Sequence, residues 1–255
     1  MPIDRHRSAE LLGFEAPIDN AMDAVSARDH EQEVAAACAI CMNHLSRMAE
    51  ELVWWSSAEF DLVQLSDDYT TCSSIMPQKR NPDSVELVRG KAALVHGCAM
   101  MLLSLVKAQP LSYNRDLQEG RAPLFEAVMA THDSVALMTG VWSTLEFRPD
   151  RFSSELEGDF SLATEIADFL VLKGVDFRTG HSVAARIVRW CEENNGDLRL
   201  LTPEVARGFH PALDADLHEL LDPRAAAERR TSLGGTAPEQ IKRQVEHLRE
   251  QISGS

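Results

Sequence analysis

The sequence predicts an all-α protein: a long-helix bundle followed by a small C-terminal helical domain. Three observations lead there. Apolar residues recur at helical spacing through three long segments. Gly and Pro are scarce, 24 of 255 residues or roughly 9% against a usual ~12%. Aromatic residues make up only 6% of the chain, fewer than an all-β protein of this size would use. With 44% hydrophobic residues and a mean hydropathy of -0.21, the chain can bury a sizeable core, and wholesale disorder is excluded.

The first long helix is expected from Asp29 to Ser56, roughly 42 Å at ~1.5 Å per residue. Val34, Cys38, Cys41, Leu45, Met48, Leu52 and Trp55 step by alternate fours and threes, as a packed helix seam does. Ser26 or Asp29 can start it. The second is expected from about Asp83 to Lys107. It carries two adjacent seams, one along Val85, Val88, Ala92, Val95, Ala99, Leu102 and Val106, the other along Leu87, Lys91, Leu94, Cys98, Met101 and Leu105. Asp83 and Glu86 can form a capping box. A helix apolar nearly all round is buried nearly all round, so further helices from other subunits or another chain are expected against it. The third follows Pro123, with Leu124, Val128, Thr131, Val135, Met138, Trp142 and Leu145 inward.

Glu146 to Asp150 reads as a linker, dividing the chain at 1–148 and 149–255. Helices are expected over Ser161–Leu172 and Phe177–Cys191, after Thr202-Pro203, and over Pro238–Gln251, the last behind a Thr236–Glu239 capping box.

Lys and Arg number 25 and Asp and Glu 40, a net charge of -15, which argues against a nucleic-acid partner. Five cysteines without framework spacing fit a reducing, cytoplasmic setting. No signal peptide is read at the N-terminus. The longest apolar run, Ala92–Val106, is too short to span a bilayer, so no membrane is expected. Cys38 and Cys41 have metal-like spacing but no second pair, and the histidines show no ligand spacing, so no metal site is expected.

Residues 65–82 join the first two long helices through a loop about twice the ~2–8 residues usual between helices. The loop is crowded with hydroxyls, amides and cations. From Met76 to Arg121 there are seven cations and four anions, +3, leaving -18 elsewhere. A local cationic region in an acidic chain suits a small anionic substrate. From charge alone, solvated surface residues would look the same.

The loop Ser73-Ser74-Ile75-Met76-Pro77-Gln78-Lys79-Arg80-Asn81-Pro82-Asp83, with Glu86 beyond it, resembles the signature loop of the fumarase/aspartase superfamily, and of argininosuccinate lyases and delta-crystallin in particular. Pro2-Ile3-Asp4-Arg5, His44-Leu45-Ser46-Arg47, Asp116-Leu117-Gln118-Glu119 and Gly234-Gly235-Thr236-Ala237-Pro238-Glu239 extend the resemblance over nearly the whole chain. The resemblance implies part of the superfamily's central helical bundle in residues 1–148, a homo- or hetero-tetramer, no cofactor, and β-elimination that releases fumarate from an N-substituted succinate resembling argininosuccinate. It implies Ser73 as the base, Lys79 and Asn81 holding a carboxylate and the developing charge, and Glu86 orienting an acid-side histidine. Ser74, Tyr113, Gln118 and Arg121 match substrate-contacting positions.

The family's acid-side histidine segment does not occur in this sequence. The expectation is therefore a half-enzyme, completed by a separate N-terminal chain. A catalytically silent scaffold, or an adenylosuccinate- or fumarase-type elimination, remains open as the alternative. Two departures bear on substrate choice: Cys72 stands where the family has Gly, and Gly120-Arg121 stands where it has an acid and a Lys.

Overall fold

Three long helices set the architecture of the first unit: α3 (Asp29–Trp55), α4 (Asp83–Leu105) and α5 (Arg121–Thr144). All three pack on one another. The computed structural model describes residues 3–76, 78–154, 156, 158–213 and 217–254; Pro2 and Pro77 of the segments quoted above lie outside them. The fold is all-α. The chain divides into two compact units, 1–147 and 148–255.

On α4 the first expected seam is the buried one: Val85, Val88, Ala92, Val95 and Leu102 are inside, joined by Cys98. The second seam is largely outside, with Leu87, Leu94 and Met101 exposed. On α3 the expected seam is half right. The residues packed inward are Ala35, Cys38, Met42, Leu45, Ala49 and Leu52, stepping by threes and fours, while Val34 and Met48 face out. Both stripes are apolar, and periodicity alone does not choose between neighbours. The small side chains of Ala35 and Ala49 do, because they let the backbones approach. Helix α5 shows the same correction. It buries Pro123, Ala127, Ala130, Ser134, Met138 and Val141, and leaves Val128 and Val135 exposed.

Each deeply buried Leu, Val or Met here is worth about 1.5–3 kcal/mol of transfer free energy. By length and composition α4 could cross a bilayer, because the helix begins at Asp83, upstream of the apolar run counted in the sequence. It lies instead along α3 and α5.

Two short helices, α1 (Arg5–Leu11) and α2 (Ala21–Ser26), precede α3. The strands are only two residues each: β1 (Val63–Gln64), β2 (Thr71–Cys72), β3 (Arg80–Asn81) and β4 (Glu146–Phe147). Strand β4 pairs antiparallel with β1, where the sequence suggested linker. The expected capping boxes do not form. Helix α4 is preceded by Pro82 with no side-chain cap, because Asp83 instead accepts a hydrogen bond from the Thr71 hydroxyl.

The second unit contains α6 (Pro149–Ser154), α7 (Ala163–Leu172), α8 (Phe177–Glu193), α9 (Pro203–Phe209), α10 (Leu217–Leu220), α11 (Pro223–Glu228) and α12 (Pro238–Ser253). Helices α7 and α8 form its core around Ile166, Leu170, Val183 and Ile187. Asp176 caps α8, its side chain accepting the Thr179 N–H at 3.0 Å. Helix α12 starts after Ala237 without a side-chain cap, so the Thr236–Glu239 box is also absent.

Candidate active site

The long loop is built as a hairpin standing on the bundle. Leu65 is buried and fixes its start. Ser66 caps the 3-10 turn at 67–69, its hydroxyl accepting the Asp68 N–H at 3.3 Å. Strands β2 and β3 then pair antiparallel, Thr71 opposite Asn81 and Cys72 opposite Arg80. Side chains tie this stem down. Arg80 pairs with Asp67 at 3.0 Å, the Ser84 hydroxyl donates to the Tyr69 carbonyl at 2.5 Å, and Thr71 donates to Asp83. None of Asp67, Tyr69, Thr71, Arg80 or Ser84 was expected at the site from the sequence, because their partners lie 12 to 15 residues away with no periodic signal.

The stem brings Ser73 and Lys79 to the two sides of its mouth. The Ser73 N–H donates to the Lys79 carbonyl at 3.4 Å, and the Lys79 N–H donates to the Met76 carbonyl at 3.0 Å. Ser73 Oγ accepts the N–H groups of Ile75 and Met76, both at 3.3 Å. Ser73 is half-buried, and Ser74 and Lys79 are exposed. The Lys79 ammonium makes no hydrogen bond or ion pair among the described residues, so it is available to an anion. Cys72 sits in extended strand backbone, outside the positive-φ residues, so the family's Gly is not required at this position for conformational reasons.

Asn81 lies in β3, across from Thr71. Glu86 lies on the first turn of α4, where Arg89 approaches it at 4.0 Å and also pairs with Glu50. The Arg89 guanidinium holds the Glu50 carboxyl below the usual carboxylate range, with the Trp54 N–H adding to the effect. No described hydrogen bond or ion pair joins Glu86 to Ser73 or Lys79.

The remaining candidates form a second group. Gln118 donates its side-chain amide to the Tyr113 hydroxyl at 2.7 Å. Residues 115–120 make a 3-10 turn, and Arg121 opens α5 with its side chain exposed. No described hydrogen bond or ion pair joins this group to the hairpin. Among the described residues, no group of three or more His, Cys, Asp and Glu could hold a metal ion.

Known proteins are similar to this chain in sequence and in fold. A family model described as "Lyase" matches residues 2–97, and one described as "Argininosuccinate lyase C-terminal" matches residues 160–228. The argininosuccinate lyase of Symbiobacterium thermophilum is 48% identical over 244 residues, covering 96% of this chain and 53% of that protein. That of Parasynechococcus marenigrum is 47% identical over 256 residues, covering 100% of this chain and 54% of that protein. The chain thus spans about half the length of the curated relatives it matches.

Among solved structures, an EDDS lyase in complex with formate superposes with a TM-score of 0.85 at 26% identity, over 99% of this chain and 52% of that one. A class II fumarase from Schistosoma mansoni, at 17% identity and a TM-score of 0.63 over 78% of this chain and 42% of that one, shares the fold. The helical bundle and its hairpin belong to the fumarase/aspartase superfamily of lyases. Within that superfamily, the chain matches the C-terminal half of argininosuccinate-lyase-like proteins.

Proposed function

We propose that this chain supplies the base-side part of a lyase that eliminates an N-substituted succinate, resembling argininosuccinate, and releases fumarate. The observation that carries the reading is the hairpin mouth: a half-buried serine beside an exposed lysine that has no ion pair among the described residues, on a loop open to an incoming anion.

A serine is a weak base in water and needs its oxyanion form stabilised. The two N–H groups aimed at Ser73 Oγ do part of this, and Lys79 adds a positive charge. Ser73 would take the proton from the carbon next to a carboxylate. The electron pair first loads that carboxylate, where Lys79, Asn81 and Ser74 would meet the extra charge. The C–N bond then breaks, its electrons leave with the amine, the C=C bond of fumarate forms, and an acid returns a proton to that amine. Tyr113, Gln118 and Arg121 would bind the substrate's anionic groups, and Glu86 would orient the acid.

None of the described hydrogen bonds joins a histidine to Ser73, Lys79, Asn81 or Glu86. We assign the acid-side histidine to a separate N-terminal chain, in a hetero- or homo-tetrameric assembly. The bundle surface supports this. Leu87, Met100, Leu103, Phe125 and Met129 are each at least half exposed on α4 and α5, large apolar side chains that further chains of an assembly would cover. A cytoplasmic setting and an absence of cofactor are part of the same reading, in keeping with five free cysteines.

The test is co-expression with a polypeptide matching the first half of the relatives. The expected result is a hetero-oligomer that forms fumarate from argininosuccinate, monitored by ultraviolet absorbance. An oligomer that forms no fumarate from argininosuccinate or other N-succinyl adducts would instead leave the silent-scaffold reading.

A further inference from the structure

One carboxylate outside the candidate set is half-buried beside Gly120, the residue before Arg121. Glu31 lies on the first turn of α3. Its Oε1 is 3.3 Å from Arg28 Nε, while its Oε2 is buried without a hydrogen-bond partner among the described residues. A buried carboxylate oxygen without a protein partner is costly, so its position calls for a reason.

Gly120 supplies that reason. It ends the 3-10 turn that carries Gln118 and starts α5 immediately before Arg121. Its backbone, φ -71° and ψ -22°, is ordinary helical backbone that any residue adopts, so glycine is not there for conformation. A Cβ at 120 would stand 3.1 Å from Glu31 Oε2, 3.0 Å from a Leu105 methyl and 3.3 Å from a Leu102 methyl. Leu102 is a buried core residue, and Glu31 is tied on its other oxygen to Arg28, so neither yields without disturbing a neighbour. The space a side chain at 120 would need is shared by Leu105, Glu31 and Leu102.

We propose that Glu31 is a positioning residue for the 113–121 segment: it wedges the start of α3 against Gly120 and so fixes where Gln118 and Arg121 present themselves. The wedge stands on geometry alone, and its bearing on substrate rests on the lyase reading above. An acid at 120, as the family has, would set two carboxylates against each other here. Gly120 and Glu31 form a matched pair.

The test is a double-mutant cycle in the full chain, with Gly120→Ala, Glu31→Ala and both together. In open space a helical Gly→Ala change raises stability by restricting the unfolded chain. Here Gly120→Ala is expected to lower the melting midpoint by about 2–4 °C or more, and to be neutral or stabilising once Glu31 is Ala. Amide exchange of residues 115–124 in Glu31→Ala is expected to quicken about tenfold while α7 and α8 are unchanged. Glu31→Gln, which keeps the shape, should restore slow exchange.

In an assembled, active lyase, Glu31→Ala should raise KM and leave kcat nearly unchanged. A Gly120→Ala chain that melts higher, a penalty indifferent to Glu31, or unchanged exchange at 115–124 would each overturn the wedge. A KM unchanged in an active assembly would overturn its bearing on substrate. If Ser73→Ala leaves fumarate release intact, the lyase reading fails, and the melting and exchange results still decide the wedge.

Discussion

Arg80 reaches back to Asp67 across the stem of the hairpin, with Nη1 3.0 Å from Oδ1 and Nη2 donating to Oδ2 at 3.3 Å. Both side chains are well exposed, and such pairs contribute about 0–1 kcal/mol to global stability. Their leverage is local. Arg80 is the residue after Lys79, and Asp67 belongs to the turn seated on the bundle, so the pair fixes the base of the tip that carries Ser73.

Asp67→Ala should therefore separate loop order from fold stability. The melting midpoint should stay within a few degrees of wild type, while amide exchange at 73–79 accelerates. Fumarate release by the assembled lyase should fall no more than about tenfold, the equivalent of ~1.4 kcal/mol. A large drop in melting midpoint would show that the pair supports the bundle instead.

Ser73→Ala should be far more severe for activity and invisible to the fold. Removing a general base costs about 100- to 10,000-fold. Among the described residues the serine oxygen accepts two long hydrogen bonds, both local to the loop, so circular dichroism and melting should be unaltered. Steady-state rates of fumarate formation, with folded variant in hand, check this.

Much of this was legible in the sequence where burial and periodicity coincide. Val85, Val88, Ala92 and Val95 make one of the two apolar seams read on α4, and that seam is buried while the seam beside it is largely exposed in this chain. On α3 the stripe through Val34 and Met48 is as apolar as the one through Ala35 and Met42, and the choice depends on how closely another helix can approach. The hairpin stem was not legible. Two-residue strands carry no period, and Asp83 looked like a capping partner for Glu86 until Thr71 was seen to claim it. The Ser73–Lys79 pairing was legible only as a motif, because its geometry depends on that stem.

Gly140, in α5, should resist the substitution that helix propensity favours. A Cβ there would collide with the Tyr69 ring and hydroxyl. Tyr69 packs against the core and its carbonyl holds Ser84, so it cannot simply leave. Gly140→Ala should gain up to about 1 kcal/mol from propensity and lose about 1–3 kcal/mol from overpacking. Net destabilisation, relieved in a Tyr69→Ala background, is the expected outcome of chemical denaturation. A simple gain would mean that the ring moves freely.

The second unit should show an acid dependence traceable to Asp176. Hydrogen bonding from Thr179 holds this carboxyl below the usual carboxylate range. Its folded pKa therefore lies under the unfolded value of about 3.9, so its stabilisation is complete above that pH and is lost as pH falls through the folded pKa. Asp159, Asp197 and Glu204 are shifted in the same direction, by Ser161, by Arg199, and by backbone and Thr202 hydrogen bonds respectively. Asp176→Asn keeps a capping oxygen and removes the titration. Its melting midpoint should match wild type near neutrality and fall less steeply below about pH 4. Parallel acid curves for the two proteins would contradict the assignment.

Glu165 is the group on which the end of the chain depends. It is 4% exposed, and two consecutive arginines reach it: Arg229 Nε donates at 2.9 Å and Arg230 closes on its other oxygen. Arg229 also donates to the Leu220 carbonyl at 2.6 Å, and Arg230 to Asp168 at 2.9 Å. The Arg230 carbonyl in turn accepts the Ala237 N–H at 3.2 Å, at the start of α12. A buried ion pair broken on one side often costs 3–5 kcal/mol, but both guanidinium groups here are over a third exposed and can take up water, so Glu165→Ala should cost about 1–3 kcal/mol. The loss should not be uniform. Amide exchange at 231–237 should rise more than exchange in α8, because the arginines that brace the turn lose their anchor. A chain whose denaturation midpoint falls while 231–237 stays protected would show that Glu165 serves the core of this unit and not the turn before α12.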